Sequence, residues 1–256
     1  MGNLIRMDLY RMLKARSFYV CLILTFALAL VSEPLGKLLF TLANTLSAEV
    51  GSIYPAEKNL SEIIGTPFPM MGLLLVLLSL CFFYYADVEN GYIKNIAGQM
   101  PMKGFTVLSK FAAAAVHNLM FVAAGVIGNL IGSLFVHRIV VDGAVPDSFR
   151  ILALKFLLLQ SICAILLLVV STFRSKSLGM VLAVLFGLGL TPLIYLGINQ
   201  LLRPVFGQSV DIGRYMPDAV MDENPLGTAK AVLVSLVTGG IFLPLAIRIF
   251  DRKDVK

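Results

Sequence analysis

The chain has 256 residues, of which 58% are hydrophobic and 14% charged, and its formal net charge is +6. Soluble domains carry about 25% charged residues, so an ordinary water-soluble globular domain is excluded. The 21 basic and 15 acidic residues do not gather into one basic face, and nucleic acid is not expected as a partner.

In chain order, residues 1–17 read as an amphipathic helix lying along a membrane surface. Ile5, Leu9, Met12 and Leu13 fall on one helical face while Arg6, Arg11 and Lys14 fall elsewhere. Six apolar segments follow at about 18–40, 68–86, 105–136, 151–172, 178–198 and 227–247. Each approaches the roughly 20 residues that cross a hydrocarbon core. The third has its apolar part from Phe111 onward, and Lys155 in the fourth can snorkel to the nearer interface. The expected fold is an all-α integral membrane protein, a single domain over 1–256 with six transmembrane helices.

With the N-terminus inside, 13 of the 21 basic residues but only 5 of the 15 acidic ones fall on the inner side. Both termini are therefore expected to be cytoplasmic. Ala27-Leu28-Ala29 mimics a secretory cleavage site, but the basic stretch before it is long and contains Asp8, which argues against cleavage.

Most chemistry-bearing residue types are sparse. Cys21, Cys81 and Cys163 sit inside apolar runs without ligand spacing, and read as buried thiols. No GxxxxGK[ST] phosphate loop occurs, so any ATP is bound by another polypeptide. His117 and His137 lie 20 residues apart on one expected helix, about 30 Å at helical rise, too far to share a metal. His117 reads as a polar packing residue and His137 as an outer interfacial one.

Two polar residues within spans have open roles. Glu33, beside Pro34, reaches the outer headgroups or lines a substrate path. Asn129 makes an interhelical hydrogen bond or lines that path. Gly128 and Gly132, and likewise Gly179, Ala183 and Gly187, have the spacing that lets helix backbones approach closely, here expected within the chain. The longest outer connections run over 41–67 and 199–226. In the second, Leu201, Leu202, Val205 and Phe206 fit a short interfacial helix.

Between the second and third spans, residues 87–104 form a polar cytoplasmic segment. Asp87 and Glu89 suit the N-terminal dipole of a short helix, and Ile93 and Ile96 give that helix an apolar side. A short helix held against the membrane by two spans is a docking surface. Glu89, Gly91, Pro101, Lys103 and Lys110 stand in the order Glu-x-Gly, helix, proline and basic residue, lysine entering the third span. In this the chain resembles the permease subunits of ABC-2 type exporters, which also begin with an amphipathic helix and have six spans.

Tyr92 stands where that family often has threonine, and Lys103 alone replaces a small-residue and arginine pair. The run from Gly91 to Ile96 looks most like permeases of Gram-positive peptide exporters, of the lantibiotic-immunity or phenol-soluble-modulin kind. The resemblance implies a bacterial plasma-membrane exporter of two permease chains, expected as a homodimer, and two cytosolic ATPase subunits. ATP and Mg would bind in the ATPases, and this chain would hold no cofactor and be no enzyme. Residues 87–104 would contain the coupling helix, with Glu89, Gly91, Lys94, Asn95, Pro101, Lys103 and Lys110 at the ATPase contact. Substrates would be amphipathic or hydrophobic, peptides above all. An ion-gradient-driven transporter is the competing reading, although few charges suit such a site, Glu33 and Lys155 lying near the outer ends of their spans, and the halves show no repeat.

Overall fold

A computed structural model of the chain describes residues 2–47, 54–69, 71–89, 103–173, 175–206, 211–223 and 227–252. Helix α1 (Gly2–Lys14) turns at Ala15 into the long α2 (Arg16–Ser47). Strand β1 (Glu57–Asn59) and the one-and-a-half-turn α3 (Leu60–Gly65) lead to α4 (Gly72–Glu89). Then come α5 (Phe105–Leu134), strand β2 (Arg138–Val140), α6 (Val145–Phe173) and α7 (Lys176–Gly187). After α8 (Thr191–Phe206), a 3-10 turn (Gly213–Tyr215) and the short α9 (Pro217–Asp222) precede α10 (Thr228–Arg252).

Among the described residues four helices are long and apolar enough to cross a membrane: α2, α5, α6 and α10. The pair α7–α8 adds a fifth crossing if the two count as one span, and the apolar part of α4, Gly72–Ala86, is shorter. The chain is thus a multi-pass membrane protein. Contacts at the helix ends order the bundle. At one end, α1 packs on the start of α5, Glu89 closing α4 meets Lys176 opening α7, and Gly104 before α5 meets Asp251 near the end of α10. At the other end, Glu33 of α2 meets His137 after α5, and Arg150 of α6 meets Thr228 opening α10. These are called below the α1 end and the α3 end.

The expected fifth span, 178–198, is not one helix. α7 and α8 meet at a bend of 97°. Gly189 adopts φ 64°, a left-handed conformation that costs glycine little. The amide of Leu190 donates to Leu185 O at 2.8 Å and that of Gly189 to Phe186 O at 3.3 Å, the hydrogen-bond pair of a Schellman stop. Pro192, in the first turn of α8, has no amide hydrogen to carry α7 onward. The apolar run from Leu201 to Phe206 therefore belongs to a helix that begins at Thr191 and runs nearly at right angles to α7.

The chain is predominantly helical, as an all-α membrane protein requires, with one small addition: β1 and β2 form a three-residue parallel pair with Lys58 opposite Ile139. Chain beyond the helix ends must still satisfy its backbone groups, and Arg138 N donates to Ala56 O at 2.8 Å beside this pair. α5 stops at Leu134, so His137 lies beyond the helix that carries His117. Of the expected face Ile5, Leu9, Met12 and Leu13, α1 fully buries only Met12, together with Leu4 and Asp8, because Asp8 has a partner inside the protein.

The main core gathers Phe18, Val76, Leu77, Leu80, Phe121, Ile162 and Leu166 between α2, α4, α5 and α6. A smaller one joins Leu154 and Leu158 of α6 to Val220 and Met221 of α9 and Val234 of α10. Gly128 and Gly132 pack α5 directly on the α2 backbone, within the chain as expected. A Cβ at Gly128 would lie 2.7 Å from Phe26 O, and one at Gly132 would lie 2.3 Å from Leu30 O. Pro34 lacks the N–H that would take up the Leu30 carbonyl, which leaves that oxygen turned to the passing glycine. Gly187 likewise admits Leu74 of α4, whose Cα lies 2.4 Å from the Cβ position.

Gly132→Ala is expected to push α5 off α2 and cost about 1–3 kcal/mol, the usual range for overpacking. Gly239→Ala on α10, with nothing near its Cβ position, is expected to leave stability unchanged or slightly higher. Thermal unfolding of both full-length variants in one detergent checks the pair; equal melting points would refute the close contact.

Candidate functional site

At the α1 end, three helices, α1, α7 and α10, meet the two that flank residues 90–102, α4 and α5. Asp8 is only 2% exposed and accepts a hydrogen bond from the Ser109 hydroxyl of α5, with Arg11 at 3.9 Å from its carboxylate. This fastens α1 along the first turns of α5. Lys110 is buried beside them, its Nζ 4.7 Å from the centre of the Phe83 ring and 3.5 Å from Phe83 O. The cation thus joins α5 to α4 through a ring face and a carbonyl. Gly104 N donates to Asp251 of α10, a carboxylate that caps an amide at the start of α5.

Of the residues expected at an ATPase contact, Lys110 is therefore packed inside the bundle. Lys103 lies in the turn before α5, where its carbonyl accepts from the Thr106 hydroxyl at 2.7 Å. Glu89 is exposed and its carboxylate lies 3.7 Å from Lys176 Nζ. Gly91, Lys94, Asn95 and Pro101, and with them the expected coupling helix, lie outside the described residues.

At the α3 end, residues 54–67 form a plug set into the mouth of the bundle. Ile63 and Ile64 are buried, with α3 packed between α5 and α6. Asn129 Nδ2 donates to Ile63 O at 3.3 Å and to Thr66 O at 3.2 Å. Asn129 therefore makes an interhelical hydrogen bond, the first of its two expected roles, from α5 to the backbone of α3 in the plug. Gly125 gives the plug room, since a Cβ there would meet Pro67 O at 1.9 Å.

Glu33 anchors the start of the plug. One carboxylate oxygen accepts from Lys58 Nζ, and the other lies 3.0 Å from His137 Nε2 and 3.5 Å from the Tyr54 hydroxyl. The Tyr54 ring stacks on His137 at 5.3 Å, and burial together with the Glu33 charge pushes its phenol pKa up, so it keeps its proton. A cavity of about 420 Å³ opens beside the plug, between α3, α6 and α9, with Glu62, Asp147, Lys155, Asp222 and Glu223 on its walls.

Between the two ends, polar side chains join α4, α5 and α6. His117 is fully buried, with Nε2 3.0 Å from the Ser79 hydroxyl and its ring stacked on Phe121 at 4.3 Å. Asn118 Nδ2 donates to Gln160 Oε1 at 3.0 Å, and Gln160 Nε2 donates to Phe111 O at 2.9 Å. Among the described residues no group of three or more His, Cys, Asp or Glu is arranged to hold a metal ion. The partners of Asp8 and of Glu33 are the residues sequence reasoning missed; a lone acid amid apolar periodicity was their one signal.

No protein-family model matches the chain, and no curated protein matches it.

Asp8→Ala is expected to cost about 1–3 kcal/mol, because it strands a buried hydroxyl, and to expose α1 to limited proteolysis. Ser109→Ala added to it should cost little more, as two members of one contact are not additive. Thermal unfolding of the singles and the double checks this, and full additivity would rule the contact out.

Proposed function

We propose that this chain is the transmembrane permease subunit of an ATP-binding cassette exporter in a bacterial plasma membrane. Its substrate is amphipathic or hydrophobic, a peptide above all, and ATP and Mg bind in a separate cytosolic ATPase. Two such permease chains, as a homodimer, work with two ATPase subunits. The α1 end is cytoplasmic and the chain has six spans, α4 and the broken α7–α8 pair included. The permease itself is no enzyme.

The observation that carries this reading is the bracing of both helices that flank residues 90–102. α4 ends on Lys176 of α7, while α5 begins under Asp251 of α10 and alongside α1. A partner pushing on a segment held this way moves several helices together rather than fraying one helix end. The absence of a phosphate loop from the whole chain fits an ATPase on another polypeptide. Glu33 and Asn129 bond to the plug, which supports a part for them in closing the path more than in contacting substrate.

The 97° break between α7 and α8 favours the second reading, an ion-gradient-driven transporter, since such proteins build their sites at discontinuous helices. The two readings differ in their partner. Gentle purification of the full chain from its native membrane is expected to bring a cytosolic ATPase with it, and Glu89→Ala and Gly91→Pro to weaken that association. If no ATPase is recovered and neither substitution changes any partner, the exporter reading fails and the gradient-driven one replaces it.

A further inference from the structure

His137 faces two oxygen atoms that can only accept hydrogen bonds. Nδ1 lies 2.8 Å from Pro55 O and Nε2 lies 3.0 Å from a Glu33 carboxylate oxygen. A neutral imidazole carries one N–H, so it can satisfy one of these and must turn a lone pair toward the other. Satisfying both takes a second proton. Lys58 donates to the other Glu33 oxygen, which favours a charged carboxylate and leaves the extra proton on the imidazole. The side chain of His137 is only 2% exposed, so water cannot stand in for a lost contact.

We propose that His137 and Glu33 form a proton-binding site whose occupancy latches residues 54–67 into the mouth of the bundle. The latch joins three parts of the chain: Glu33 on α2, the strand leaving α5 through His137, and the plug through Pro55, Tyr54 and Lys58. The other charged groups nearby are the exposed Lys37 one turn along α2, and Arg138 and Glu57, which pair with each other at 4.0 Å across the strands. Neither set replaces a donor at Nε2. Beyond them, Asp142 accepts from Ser61 on α3, a contact that does not involve the imidazole.

Loss of the proton leaves a lone pair against a carboxylate and removes the side-chain bond between α2 and the strand that leaves α5. The plug keeps its hold at Asn129 and its Lys58 contact with Glu33, but β1, paired with the strand that follows His137, is no longer tied through that imidazole to α2 and loosens ahead of Ile63. Ser61 and Glu62, which precede the held residues, are walls of the 420 Å³ cavity, and their displacement widens it. The site is therefore closed when protonated and released when that proton is lost. This inference concerns the α3 end alone and does not rest on the partner proposed at the other end.

The chain has two histidines, which makes a direct test possible. Full-length protein labelled with nitrogen-15 histidine, in lipid nanodiscs, is followed by nitrogen NMR between about pH 5.5 and 8.5, with His117→Gln assigning the signals. Amide protection in residues 57–66, corrected for intrinsic exchange, is measured over the same range. His137 is expected to carry protons on both nitrogens at the acid end and on Nδ1 alone at the alkaline end, while protection falls about tenfold. Glu33→Gln, whose amide can donate to a neutral Nε2, is expected to keep the plug protected at both ends of the range. If His137 holds one protonation state throughout, or if Glu33→Gln loses protection with pH as wild type does, the proposal is overturned.

Discussion

The close approach of α5 to α2 sets the geometry of the whole bundle. Pro34 leaves the Leu30 carbonyl without a helical donor, and Gly132 brings a backbone without a side chain against that oxygen. Gly128 repeats the contact one turn earlier, and Gly125, a turn before that, makes the gap into which Pro67 fits. One row of glycines thus fixes the spacing of two long helices and seats the plug between α5 and α6. Larger side chains along this row would deny Glu33 its approach to His137 and Asn129 its reach to the plug backbone.

In lipid, helices gain little by hiding apolar surface from one another, and association falls to packing and to polar contacts between helices. Here those polar contacts occur in layers. Asp8 with Ser109 works at one end, His117 with Ser79 and Asn118 with Gln160 in the middle, and Glu33 with His137 at the other. α5 contributes to the first two layers, and the third sits just past its last turn. It is the shaft around which α1, α2, α4 and α6 are placed, so displacement at one end bears on contacts at the other.

Hydropathy located the long helices because lipid demands continuous apolar sequence, and α2, α5, α6 and α10 lie where that demand is met. It failed at α7, where residues 178–198 stay apolar through a full stop. The stop is written instead in Gly189 and Pro192, whose backbone preferences no hydropathy window weighs. The burial of Asp8 was not legible for the opposite reason. Its partner, Ser109, lies 101 positions away. The Glu33 site was legible as one unusual acid, but its meaning depends on Lys58 and His137, which only the folded chain brings near.

α7 has 12 residues, about 18 Å of helix against the roughly 30 Å of a bilayer's hydrocarbon layer. Its neighbour α6 is far longer and α4 only somewhat so, and lipids in front of α7 meet a short apolar wall with α8 turned aside at its end. A bilayer meets such a mismatch by thinning or by lipid tilt, at a fraction of a kcal/mol for each ångström. A bilayer that thins to meet α7 would be dented beside it. Membrane thickness, set by acyl-chain length, accordingly becomes a variable to which this face of the protein responds.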